Sequence, residues 1–87
     1  MLKPKMIEVS EGVFLRELMD LEYIEMKKSC ADLDPPEYAR ELLQRSLVDV
    51  NGNRLYSSVA QLSLPLSALV DLSDKALALN NLGEKKS

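Results

Sequence analysis

The sequence predicts an α+β fold: one small, mainly helical domain with a short N-terminal β-hairpin and a second, central hairpin. Three observations carry that expectation. Asn51-Gly52 sits between short apolar runs as a hairpin turn signal, and Asp34-Pro35-Pro36-Glu37 opens a stretch with one apolar face of helical period. Pro65 opens a second helical stretch in which apolar positions are unusually dense. A chain of 87 residues has room for one core, burying roughly 60–65% of its unfolded surface. Residues 1–83 are expected to form that single domain, with 84–87 as a flexible polar tail.

Taken in order, Met6 to Val9 and Val13 to Leu15 are short apolar runs separated by Ser10-Glu11-Gly12, a turn composition, and predict the N-terminal hairpin. Leu18 to Cys30 then follows a helical period with two apolar stripes. Met19, Tyr23, Met26 and Cys30 lie on one, and Leu18, Leu21 and Ile24 lie on another about 160° away. Either the helix is sandwiched inside the domain, or one seam packs internally and the other meets a second subunit. A helix at the surface of a monomer needs only one stripe.

The next helix is predicted over Pro35 to about Ser46. Asp34 is placed to cap its free amides, Pro35 suits the first turn and Glu37 stands three residues after the cap. Tyr38, Ala39, Leu42, Leu43 and Ser46 form the inward stripe, leaving Glu37, Arg40, Glu41, Gln44 and Arg45 for the opposite side. Asn51-Gly52 then predicts a two-residue type I′ turn, which sets Val48 opposite Leu55, Leu47 opposite Tyr56, and Asp49 opposite Arg54 as a cross-strand ion pair. Ser57 or Ser58 can cap a short turn through Val59 to Leu62, ended by Pro65. The last helix should reach Asn80 or Asn81 and stop at Gly83, with Leu66, Leu69, Val70, Ala76 and Leu77 on one face and Leu72 and Leu79 widening it. Asn80 projects onto that arc, where its amide would satisfy last-turn carbonyls.

Composition excludes several chemistries. The chain has no histidine, which removes a general base titrating near neutrality, a histidine metal site and any Ser-His or Cys-His nucleophile. Its three glycines, Gly12, Gly52 and Gly83, make no phosphate-cradling loop. A net charge of -3 with no basic cluster beyond Lys27-Lys28 and Lys85-Lys86 argues against nucleic acid as a partner. Asp49-x-Asn51-x-Asn53 copies the start of a calcium loop, but Arg54 stands where glycine is needed and Ala60 where the bidentate glutamate belongs. No metal and no cofactor are therefore expected. Asp32 with Asp34, and Asp71 with Asp74, read as solvated helix ends and faces, and Cys30 as a small packing residue. With no apolar run of transmembrane length and no signal-peptide core, a cytoplasmic protein without membrane contact is the expectation.

Four segments together resemble the tail assembly chaperones of long-tailed bacteriophages. They are the opening strand, turn and strand ending in Val13-Phe14-Leu15-Arg16-Glu17-Leu18, the helix running into Leu43-Gln44-Arg45-Ser46-Leu47-Val48-Asp49, the turn Asn51-Gly52-Asn53-Arg54-Leu55-Tyr56, and the ending Ala76-Leu77-Ala78-Leu79-Asn80-Asn81-Leu82-Gly83. The resemblance implies a non-enzymatic protein that self-associates, keeps the long tape-measure protein soluble and helps recruit tail-tube protein around it. It also implies action in the host cytoplasm, absence from the finished virion and, in many members, a longer product made by ribosomal frameshifting. Lys85-Lys86 could be encoded by a slippery heptamer.

On the physical side, the apolar residues open to partners or to self-association would be Met19, Leu21, Tyr23, Ile24 and Met26 on the first helix and Leu69, Leu72, Ala76 and Leu79 on the last. Asp49, Asn51, Gly52 and Arg54 are assigned the structural turn. The competing readings are a small non-enzymatic adaptor or regulatory protein and a minor structural subunit of the virion.

Overall fold

The computed structural model describes residues 3–81 and has the expected α+β class. Strand β1 (Met6–Ser10) turns through Glu11-Gly12 into β2 (Val13–Arg16). Gly12 takes a φ of +75°, which the turn needs and which a side chain would resist. Helix α1 (Asp20–Ser29), helix α2 (Pro35–Ser46) and the two-residue strand β3 (Leu47–Val48) follow. A single 3-10 turn at Val59–Gln61 leads to helix α3 (Leu66–Leu79).

The strands form one antiparallel sheet in the order β1-β2-β3, so the expected separate hairpins are joined. Phe14 pairs with Val48 and Leu15 with Leu47, which places Leu15 and Leu47 on one face and Phe14 and Val48 on the other. Helices α2 and α3 pack on each other and both reach β2. The core gathers Leu15, Leu18, Met26, Cys30, Leu42, Leu43, Leu47, Leu62 and Ala76. Cys30 is a buried free thiol within it, in the packing position expected.

The central hairpin departs from the type I′ expectation. Val48 lies opposite Arg54 instead of Leu55, a one-residue shift, and ladder bonds run from Asp49 N–H to Asn53 O (2.9 Å) and from Leu55 N–H to Leu47 O (3.1 Å). The reason is local. Only Gly52 has a positive φ (+86°), so the loop holds three residues, Val50 to Gly52, closed by Gly52 N–H to Asp49 O at 2.9 Å. Asp49 Oδ1 accepts the N–H groups of Asn51 (2.9 Å) and Asn53 (3.0 Å), which shapes that loop. A one-residue slip moves side chains to the other face, and Val50 and Leu55 are left exposed.

Helix α2 has the predicted bounds, but Asp34 makes no side-chain cap. Pro36 removes one of the two amide protons such a cap could take, and the Asp34 carbonyl opens the helix by accepting Tyr38 N–H at 2.8 Å. Nor is the helix one-sided. Gln44 is buried and donates to Tyr56 O at 3.0 Å, while the Arg40 guanidinium donates to the carbonyls of Val59 and Leu62. Arg40 and Gln44 on the face expected to meet water are thus covered by the segment joining β3 to α3, while Glu37 stays exposed. In that segment Gln61 Oε1 accepts from Ser57 N–H and Oγ, and no serine caps the 3-10 turn.

Helix α3 ends at Leu79, with Asn80 as its C-cap and Asn81 in the left-handed region at φ 60°. Asn81 thereby takes the role expected of Gly83. Gly83 and the 84–87 tail lie outside the described residues.

Candidate functional site

The first helix separates its two stripes. Met26 is fully buried and Cys30 nearly so, with Tyr23 half-buried against them, so this stripe faces the core. The second stripe opens outward: Leu21 is 74% exposed and Ile24 47%. Leu18 precedes the helix and is buried, and Met19, at the N-cap, is 46% exposed. The helix starts later than expected because Glu22 reaches back to take Met19 N–H at 2.9 Å while Asn80 takes Leu18 N–H at 2.7 Å. Within the isolated chain the helix is therefore not sandwiched. Its outer apolar pair lies in the open, on the side of the helix roughly opposite the buried pair.

Two of the expected partner residues are corrected by burial. Met26 and Ala76 have no accessible surface and belong to the core, where dense packing against its other members leaves them no surface to offer a partner. Tyr23, Leu69, Leu72 and Leu79 are half-buried against the same core. The large apolar residues that α3 turns outward are Leu66 and Val70, both on the arc read from the sequence but absent from the expected partner set. They border a shallow groove of about 240 Å³ whose other wall is Pro35, Pro36 and Ala39.

Of the turn residues, Asp49 and Gly52 build the loop and Asn51 donates its backbone N–H to Asp49. Arg54 does not pair with Asp49. It reaches across to Glu22 at 3.1 Å, and Arg16 binds the same carboxylate oxygen at 2.9 Å. By register, Arg16, Phe14, Val48 and Arg54 share one sheet face, and Glu22 ties α1 to it. Partial burial raises the Glu22 pKa, but the hydrogen bonds from Arg16, Met19 N–H and Arg54 outweigh that and hold it at about 2. Nothing in the sequence pointed to this triad, because its members are 6 and 32 residues apart along the chain.

At the other end of α1, Lys27 Nζ lies 5.4 Å from the centre of the Tyr38 ring. Burial, with Tyr23 and Cys30 nearby, pushes the Tyr38 hydroxyl pKa up. Among the described residues no group of three or more His, Cys, Asp or Glu side chains is placed to hold a metal ion, and no helix is long and apolar enough to cross a membrane. What the arrangement offers is contact surface: the Leu21 and Ile24 pair on α1 and the Leu66 and Val70 groove at the start of α3. No family model, curated protein or solved structure matches the chain.

Proposed function

We propose that this protein is a non-enzymatic tail assembly chaperone of a long-tailed bacteriophage. In this reading it self-associates in the host cytoplasm, holds the tape-measure protein soluble, aids assembly of tail-tube protein around it and leaves the finished tail. The observation that carries the proposal is the outer seam of α1. Leu21 and Ile24 are large apolar side chains one turn apart on a short helix, and their exposure has no role in the chain's own core.

A holder of a long, helical, aggregation-prone client needs apolar surface beyond its core, and a helix-borne pair suits helix-to-helix contact. Met19, exposed at the head of the same helix, adds a thioether that repacks readily against varied surfaces. The Leu66 and Val70 groove offers a second contact of the same character.

Co-expression with the tape-measure protein tests the proposal. The wild-type chain should keep that protein in the soluble fraction and co-purify with it, and Leu21→Glu with Ile24→Glu should abolish both while leaving the chain folded. A tape-measure protein equally soluble without the chain, or no association between the two, would refute it.

A further inference from the structure

We propose that the outer edge of β1 pairs antiparallel with the β1 edge of a second copy of this chain, joining two three-stranded sheets into one of six strands. This rests on the self-association in the proposed function and adds the surface that performs it. Among the described residues β1 pairs only with β2, so one edge of the strand is unpaired.

The backbone fixes which groups that edge presents. Glu17 N–H donates to Lys5 O at 2.8 Å, so Lys5 turns its carbonyl toward β2. Alternation along an antiparallel ladder then turns Ile7 toward β2 as well, while the N–H and C=O groups of Met6 and Glu8 point to the open edge. Ile7 shares the core face with its partner Leu15, yet Leu15 is fully buried and Ile7 is 38% exposed, and among the described residues no strand pairs with β1 on its outer side.

These groups select one two-fold register. Pairing Glu8 with Glu8 of the second copy opposes like charges, and pairing Met6 with Met6 sets Glu8 against Pro4, which has no N–H to give. Placing Ile7 on the two-fold axis lets Met6 and Glu8 of each chain exchange both backbone bonds with Glu8 and Met6 of the other. The same register buries Ile7 against Ile7. It also runs the basic Lys3 to Lys5 end of each strand beside the acidic Glu8 to Glu11 end of its partner, so the edge is complementary to itself in charge. The register irregularity between Glu8 and Ser10 ends the seam, keeping it short and closed by symmetry, not open to stacking into fibres.

Disulfide trapping and sedimentation test this together. At a facing pair without mutual hydrogen bonds, Cα atoms lie about 4.5 Å apart, within the range a disulfide spans. In a Cys30→Ala background, Ile7→Cys should therefore oxidise to a covalent dimer much faster than Lys5→Cys or Ser10→Cys. Glu8→Pro removes two edge donors per dimer without touching the β1–β2 ladder and should weaken association by roughly tenfold or more. Glu8→Ala, which keeps the backbone donor, should not. Thermal melts identify any variant that fails to fold, and the Ile7→Cys trap remains decisive in that case. Equal trapping at all three positions, or a wild-type chain monomeric into the high-micromolar range, would overturn the inference. An oligomer indifferent to Glu8→Pro but dispersed by Leu21→Glu would overturn it too, while leaving the chaperone reading intact with α1 as its interface.

Discussion

Asn80 Oδ1 accepts the backbone N–H of Leu18 at 2.7 Å while Asn80 Nδ2 donates to Ala76 O, also at 2.7 Å. One amide thus caps the last turn of α3 and fixes the residue that leads into α1. Its capping half is the role expected from its position on the helix, whereas the tie to Leu18 spans 62 residues and had no sequence signal. Asn80→Leu should strand the N–H of the buried Leu18, while Ala76 O keeps the backbone N–H of residue 80 as a donor, costing about 1–3 kcal/mol in denaturant unfolding. A change below a few tenths of a kcal/mol would show that water replaces the amide at no cost.

Gln44 and Arg40 together hold the segment between β3 and α3 onto α2, through Tyr56 O, Val59 O and Leu62 O. Arg40→Met and Gln44→Leu should each speed hydrogen exchange and limited proteolysis within residues 56–64 before any global unfolding. Equal protection in both variants and the wild type would mean that Leu62, buried in the core, anchors the segment alone.

Glu22 gives stability a defined pH dependence. Its carboxyl is lowered from the ordinary 4.5 to about 2 by Arg16, Met19 N–H and Arg54 acting against partial burial. A depressed carboxylate contributes stability that is fully present above the unfolded pKa and is lost as pH falls through the folded one. The advantage of the wild type over Glu22→Gln should therefore be complete above about pH 4.5 and vanish toward pH 2. Urea melts across that window measure it, and a constant difference would exclude the ion pairs as its source.

Ser46 Oγ is buried with no hydrogen-bond partner in the described structure, at the end of α2 where the chain turns into β3. Ser46→Ala removes the unpaired hydroxyl and little volume, so it should stabilise the fold by up to about 1 kcal/mol. Destabilisation would show that the hydroxyl holds a bound water.

Gly52 holds a φ of +86° with nothing within 4 Å of the position a Cβ would occupy. A substitution there therefore meets conformational strain and no clash. Gly52→Val should cost about 1–2 kcal/mol or more, and Gly52→Asn much less, since asparagine tolerates the left-handed region. Equal thermal midpoints for the two would argue that the loop relaxes to a different turn.

Local chemistry wrote much of this fold into the sequence. Pro35 and the 3.6-residue spacing of Leu42, Leu43 and Ser46 determined α2 to its ends, and Gly12 between two apolar runs determined the β1–β2 hairpin. The two stripes of α1 were also legible, because helical geometry alone sets them on opposite sides. Tertiary contact decided the rest. Which stripe is buried depends on what packs beside it, and the Arg16, Glu22 and Arg54 cluster and the burial of Gln44 join residues that no local period relates. The central turn shows the same division on a small scale: Asn51-Gly52 announced a reversal, but the Asp49 side chain and the pairing of Leu47 and Val48 with β2 set its register. Periodicity reports the face a segment would bury; only the packed chain determines which faces find a neighbour, and on α1 it leaves Leu21 and Ile24 without one.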